Sequence, residues 1–171
     1  MSDPNRPLPD PDPHMAELDW FIGRWRVRSR LLTESGSWVE EDLTAFHTRE
    51  LGGNLIFEHF CGPLNGKPFE AWSLRKFDAS VGRWRQRWVD SEPGGSILNW
   101  VGAWDSEARR FTGYAERFVN ADGTIAGDTA MREVFDDIHS DRFAWRYERT
   151  TDGGKTWDGS WKLDYVREDV S

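Results

Sequence analysis

The sequence predicts an all-β fold: an antiparallel up-and-down barrel of about ten strands behind a short N-terminal helical plug. Three observations predict it. Apolar and polar side chains alternate with period two along most of the chain, turn-forming clusters recur at short intervals, and no long stretch carries helical periodicity.

Residues 2–14 are rich in Pro and Asp and cannot bury enough apolar surface to order themselves. Residues 1–14 are therefore expected as a disordered or extended arm, and 15–171 as one domain. Met15, Leu18, Trp20, Phe21 and Ile22 suit a helical turn that plugs an opening. The period then changes to two. Trp25, Val27, Ser29 and Leu31 alternate with Arg24, Arg26, Arg28 and Arg30, the mark of a strand with one buried and one wet face.

Turn signals follow at 34–37, 52–53, 65–68, 78–82, 92–95, 105–107, 120–123, 140–141 and 152–154. Their Gly, Asn and Asp residues supply the positive-φ positions of tight hairpins. Short links force consecutive strands to be antiparallel neighbours. A meander of this length must protect its edges, and closure removes them, with two stacked sheets as the competing solution.

Composition narrows the function classes. Aromatic residues make up 14% of the chain, with 11 Trp, and such rings line cores or cavities. The formal net charge of −8 argues against a nucleic-acid partner, and no apolar run is long enough for a membrane-spanning helix. The arginine stripes at 24–30 and 83–87 read as solvated strand faces, with an anion or partner surface as the other reading. Cys61 is the single cysteine and no signal-peptide pattern is visible, so a reducing, cytoplasmic location is expected.

The strand around 83–91 is the most informative. If Arg83, Arg85 and Arg87 are wet, the interior receives Trp84, Gln86, Trp88 and Asp90. An apolar core would not select an amide and a carboxylate, because unpaired polar burial costs about 1–3 kcal/mol. Either these groups form a hydrogen-bond network that holds the barrel in register, or they meet a ligand. The same alternation turns Trp72 with Leu74, Trp100 with Leu98, Trp145 with Phe143 and Tyr147, and Tyr165 with Trp161 and Leu163 toward the interior. Tyr114 groups with Glu116 and Phe118, while Phe111 and Gly113 argue for the opposite face. Pairing of Gln86 and Asp90 with each other, with Arg132 or with water would remove that cost of burial, and Gly102, Gly113 and Ala130 are the small residues expected to leave space.

Gly23-Arg24-Trp25 at the start of the first strand, with Arg167 in the last, resembles the Gly-x-Trp signature of lipocalins and other calycins. That resemblance implies that Trp25 packs at the closed end with Arg167 across it. The run Gly82-Arg83-Trp84-Arg85-Gln86-Arg87-Trp88-Val89-Asp90-Ser91 resembles a bacterial family of uncharacterised calycin-like proteins. So do Gly94-Gly95, the segment Asp152-Gly153-Gly154-Lys155-Thr156-Trp157 and the closing Tyr165-Val166-Arg167. The match implies a fold and no particular activity; fatty-acid-binding proteins and nitrobindin-like haem barrels are similar in architecture only. The 152–157 segment also resembles a single Asp-box, which here reads as a structural turn.

His59 shares a face with Phe57 and Cys61 and is the histidine expected inside, as a hydrogen-bonded core residue or as one haem ligand. Glu58, Asp90 and Glu133 are the acids that strand faces could turn inward; a buried Glu133 would have a raised pKa. Neither zinc-ligand spacing nor a nucleophile elbow or phosphate loop occurs, so no metal, cofactor or catalytic set is assigned. The expectation is a binding module for a small hydrophobic or aromatic molecule, contacted by Trp72, Trp84, Gln86, Trp88, Asp90, Trp100, Arg132, Trp145 and Tyr165. An isomerase-, cyclase- or lyase-type enzyme using an internal carboxylate, a haem protein, and a filled barrel with a structural or protein-partner role are the alternatives. A homodimer is compatible with each.

Overall fold

Ten antiparallel strands close on themselves in a computed structural model that describes residues 7–95 and 97–168. They are β1 Gly23–Leu32, β2 Trp38–Glu50, β3 Leu55–Leu64, β4 Lys67–Asp78, β5 Arg83–Asp90, β6 Leu98–Asp105, β7 Arg110–Ala115, β8 Ala130–Asp136, β9 Arg142–Thr150 and β10 Asp158–Arg167. Every strand pairs with its sequence neighbours, and β1 pairs with β10, so no edge is left open. The register of closure sets Trp25 opposite Arg167 and Val27 opposite Tyr165.

The arginine stripe of β1 behaves as its alternation predicts. Trp25, Val27 and Ser29 are buried while Arg24, Arg26 and Arg28 are exposed. Acids on neighbouring strands meet the outer guanidinium groups: Glu40 and Asp42 of β2 bind Arg28, and Asp164 of β10 binds Arg30. Such wet pairs set register more than stability. On β5, Trp84 and Gln86 are buried and Arg87 is exposed.

A 3₁₀ helix, Pro13–Phe21, covers one end of the barrel and buries Met15, Leu18 and Phe21. Arg49 of β2 holds this plug through the Met15 carbonyl (2.6 Å) and the Asp19 carboxylate. Trp84 donates from Nε1 to Glu17 Oε2 at 2.9 Å. Upstream, Asn54 takes the chain in hand: its Oδ1 accepts from Asp12 N (3.1 Å) and its Nδ2 donates to the Pro9 carbonyl (3.2 Å). Residues 1–6 of the expected arm lie outside the described residues.

One side chain pins the β1–β10 seam to the plug. The Arg167 guanidinium lies 4.1 Å from the centre of the Trp25 ring and donates to the carbonyls of Ile22 (2.8 Å), Trp20 (3.2 Å) and Ser140 (2.7 Å). Gly23 has φ +139°, and a Cβ there would run into Arg167 Nη1, so only glycine fits. The 152–157 segment is a turn. Asp152 accepts from the backbone of Thr156 and Lys155 and from the Thr150 and Thr156 hydroxyls, which hold its carboxyl below the usual carboxylate range. No helix among the described residues is long and apolar enough to cross a membrane.

Candidate functional site

Above the plug, the interior divides into three layers. The lowest is aromatic: Phe21, Trp25, Trp84, Phe111, Phe135 and Phe143 are all buried. The middle layer is polar and charged: His47, Glu58, Ser73, Arg75, Gln86 and Glu133 are buried as deeply. The third layer surrounds a cavity of about 200 Å³, walled by Trp88, Trp100, Trp145, Tyr147 and Trp161. The polar layer is its floor: Glu58, Arg75, Gln86, Glu133 and Tyr165 line it from below. Asp90 and Leu98, half-buried at the β5–β6 connection opposite the plug, form part of its rim.

Arg75 organises the floor. Its Nη1 donates to Glu58 Oε2 (2.7 Å) and Ser73 Oγ (2.9 Å), and its Nε to Gln86 Oε1 (3.0 Å). Glu133 Oε2 stands 3.7 Å from its Nη2. Below, the guanidinium lies 4.6 Å from the Phe21 ring centre, so the plug supports the floor by a cation–π contact. His47 donates from Nδ1 to the Phe21 carbonyl at 2.7 Å and turns Nε2 to Glu58 Oε1 at 3.3 Å.

The two buried carboxyls are driven in opposite directions. Burial raises the pKa of Glu58, but the Arg75 charge and then His47 outweigh it and hold the carboxyl well below the usual range. For Glu133 burial dominates and raises the pKa, against the pull of Arg75 and of the Trp145 N–H, with the charge of Glu58 adding to the rise. Trp145 Nε1 donates to Glu133 Oε2 at 3.2 Å, while Oε1 is sealed without a partner. Environments that separate two carboxyls in this way distinguish a permanent anion from a proton carrier. Burial opposes the charge on Arg75, yet Glu58 and Glu133 more than offset it and raise its pKa.

Of the side chains assigned to the interior from sequence, Gln86, Trp88, Asp90, Trp100, Trp145 and Tyr165 line this cavity. Asp90 accepts from Trp88 Nε1 (2.9 Å) and from the Glu92 backbone, so it fixes the indole and caps a turn. Three assignments are corrected. Trp84 is internal but sits a layer lower, against Phe77, Phe111 and the plug. Trp72 is on the outer wall, 50% exposed, with Leu74 beside it. Arg132 also faces outward, paired with Glu148 (2.7 Å) and lying 3.9 Å from the Trp157 ring centre.

Trp72 lies outside because β4 turns its other face inward. The inward face of β4 is Phe69, Ala71, Ser73, Arg75 and Phe77. A buried guanidinium is tolerated there because Glu58 on β3 and Glu133 on β8 meet it. The signal was present: β3 and β4 each carry one opposite charge on a mostly apolar inward face, Ile56-Glu58-Phe60 and Phe69-Ala71-Ser73-Arg75-Phe77. The histidines exchange roles for the same reason. His59 is on the outer wall with Glu70 (2.7 Å) and so is no ligand for a haem inside, while His47 is fully buried. Gly102 and Gly113 do not leave empty space. Their missing side chains make notches that Phe111 and the Glu133 carboxyl fill, and a Cβ on Gly113 would lie 2.8 Å from Glu133 Oε1. Among the described residues no group of three or more His, Cys, Asp or Glu is arranged to hold a metal ion.

Two solved structures share the architecture. Rv2717c from M. tuberculosis superposes with a TM-score of 0.64 at 16% identity, covering 94% of this chain and 100% of that one. The S-type phycobiliprotein lyase CPES from Guillardia theta does so with a TM-score of 0.56 at 12% identity, covering 94% and 100%. At these identities the likeness shows the fold alone. No curated protein matches the chain. One family model spans residues 10–167, from the chain before the plug to the arginine that closes the barrel, and the chain belongs to that family, the proteins of unknown function DUF1579.

Proposed function

We propose that this protein binds a small, largely apolar molecule of single-ring size inside the barrel. The observation that carries the reading is the pocket of about 200 Å³ with aromatic walls and a polar floor. Small-molecule sites have that composition: apolar area supplies affinity and a few converging polar groups supply orientation. An engineered apolar cavity of about 150 Å³ holds benzene, which sets the scale of the occupant. Calorimetric titration with ethylbenzene and indole tests it. Saturable one-to-one binding, abolished by Leu98→Trp at the rim, supports the reading; no saturable heat with any single-ring compound overturns it.

A second reading, catalysis in the same cavity, is favoured by Glu133. Its carboxyl is buried, has a raised pKa and lines the void, the environment in which a carboxyl exchanges a proton with a bound molecule. One neighbour of the same architecture is a lyase. Turnover lost in Glu133→Gln with binding retained would establish it. The further expectations, a cytoplasmic location and a homodimer without nucleic-acid or membrane partners, belong to this proposal and rest on composition alone.

A further inference from the structure

The floor of the cavity has a polarity of its own. Arg75 spends Nε and Nη1 on Gln86, Glu58 and Ser73, and its Nη2 makes no hydrogen bond among the described residues. Gln86 gives its Oε1 to Arg75 and its amide to Glu133, whose pKa that contact lowers. The Tyr165 hydroxyl makes no hydrogen bond among the described residues, although Tyr165 is buried. Among the described residues the sealed side-chain atoms that lack partners are Arg30 Nε, His47 Nε2 and Glu133 Oε1. Arg75 Nη2, the Tyr165 hydroxyl and Glu58 Oε1 are not in that set, so these free groups open onto the void their residues line.

Two of them donate, and the acceptor among them, Glu58 Oε1, lies 3.3 Å from His47 Nε2. The other carboxyl oxygens of the floor are taken or hidden. Glu58 Oε2 receives Ser73 and Arg75. Glu133 Oε2 receives Trp145, and Oε1 is tucked into the Gly113 notch. The donors left over, on Arg75 and Tyr165, call for an acceptor on the occupant. A negatively charged one is disfavoured, because two carboxyls already share the single guanidinium and a third would add to their repulsion.

The geometry points to a neutral carbonyl compound of single-ring or short-chain size, bound head-down, its oxygen accepting from Tyr165 and Arg75 while its apolar body lies among Trp88, Trp100, Trp145 and Trp161. This rests on the binding function proposed above and adds the chemical class of the ligand. Calorimetry with four probes of one size separates the two claims: acetophenone, ethylbenzene, benzoate and benzylamine, each against the intact chain and Tyr165→Phe. The Tyr165 hydroxyl has no hydrogen-bond partner among the described residues, so its removal leaves the hydrogen bonds described above intact. Acetophenone is expected to bind at least about tenfold more tightly than ethylbenzene, and Tyr165→Phe to reduce that ratio roughly three- to tenfold while leaving ethylbenzene unchanged. Equal affinities for ketone and hydrocarbon would overturn the carbonyl assignment and leave the cavity standing. Tighter binding of benzoate or benzylamine would overturn it in favour of a charged ligand. Silence from all four probes would overturn both claims.

Discussion

Replacing Arg75 by Met should be among the most damaging single changes in the interior, and the damage should come from what is left behind. Methionine fills much of the volume but removes the charge that faces Glu58 at 2.7 Å and the donor that faces Gln86 Oε1 at 3.0 Å. Glu58 is 3% exposed and cannot recover water. Breaking one side of a buried ion pair costs about 3–5 kcal/mol, mostly because of the orphaned partner. For a chain of this size that is a fall in Tm of roughly 6–20 °C. Glu58→Gln in the same molecule removes the orphan, so the double variant should lie closer to the parent than Arg75→Met alone. Urea unfolding of the parent, both singles and the double closes the cycle, with a coupling of about 1.5–3 kcal/mol expected. A loss below about 1 kcal/mol for Arg75→Met, or a double variant that costs the sum of the singles, would refute the placement of this guanidinium at the centre of the floor.

Two further outcomes follow from the same geometry. The carboxyl of Glu133 has a pKa raised above the ordinary 4.5, so the stability it lends is complete below that value and drains away as pH rises through its folded value. Glu133→Gln cannot ionise, so its stability relative to the parent should increase with pH, and denaturation across pH 4–9 reads the slope; a flat difference would mean that Glu133 is not the buried acid described. Arg167→Ala should cost about 2 kcal/mol, and Arg167→Lys should not rescue it, since an ammonium cannot lie over Trp25 and reach three carbonyls at once; thermal melts of both variants check this.

Strand order and closure were legible because alternation and turn chemistry are local. The β1 stripe and Gly23-Arg24-Trp25 needed no knowledge of partners. The wall of the cavity was legible for a related reason: once Arg83, Arg85 and Arg87 were placed outside, Trp88 and Gln86 could only face in. The floor was not legible. Whether Arg75 or Trp72 points inward depends on whether counter-charges wait inside, and these come from Glu58 on the neighbouring strand β3 and from Glu133 on β8, far away in sequence. A rule that sends arginine to water is right for β1 and wrong for β4. His47 and His59 fall to the same ambiguity, since both occupy strands and only the buried Glu58 decides which belongs inside. Gly113 shows a third limit: small residues were read as vacancies, and the neighbour's side chain filled them.

The N-terminal 3₁₀ segment does more than cover an opening. Through Phe21 it touches Arg75 with its ring and His47 with its carbonyl. The bottom of the cavity is thus partly made of chain that precedes the first strand. Cutting the protein after residue 22 would leave every strand pairing available, yet it would strip the guanidinium and the imidazole of their underlay and admit solvent to the one charged layer. Ten strands make the vessel, and the chemistry at its base is lent by a segment that belongs to none of them.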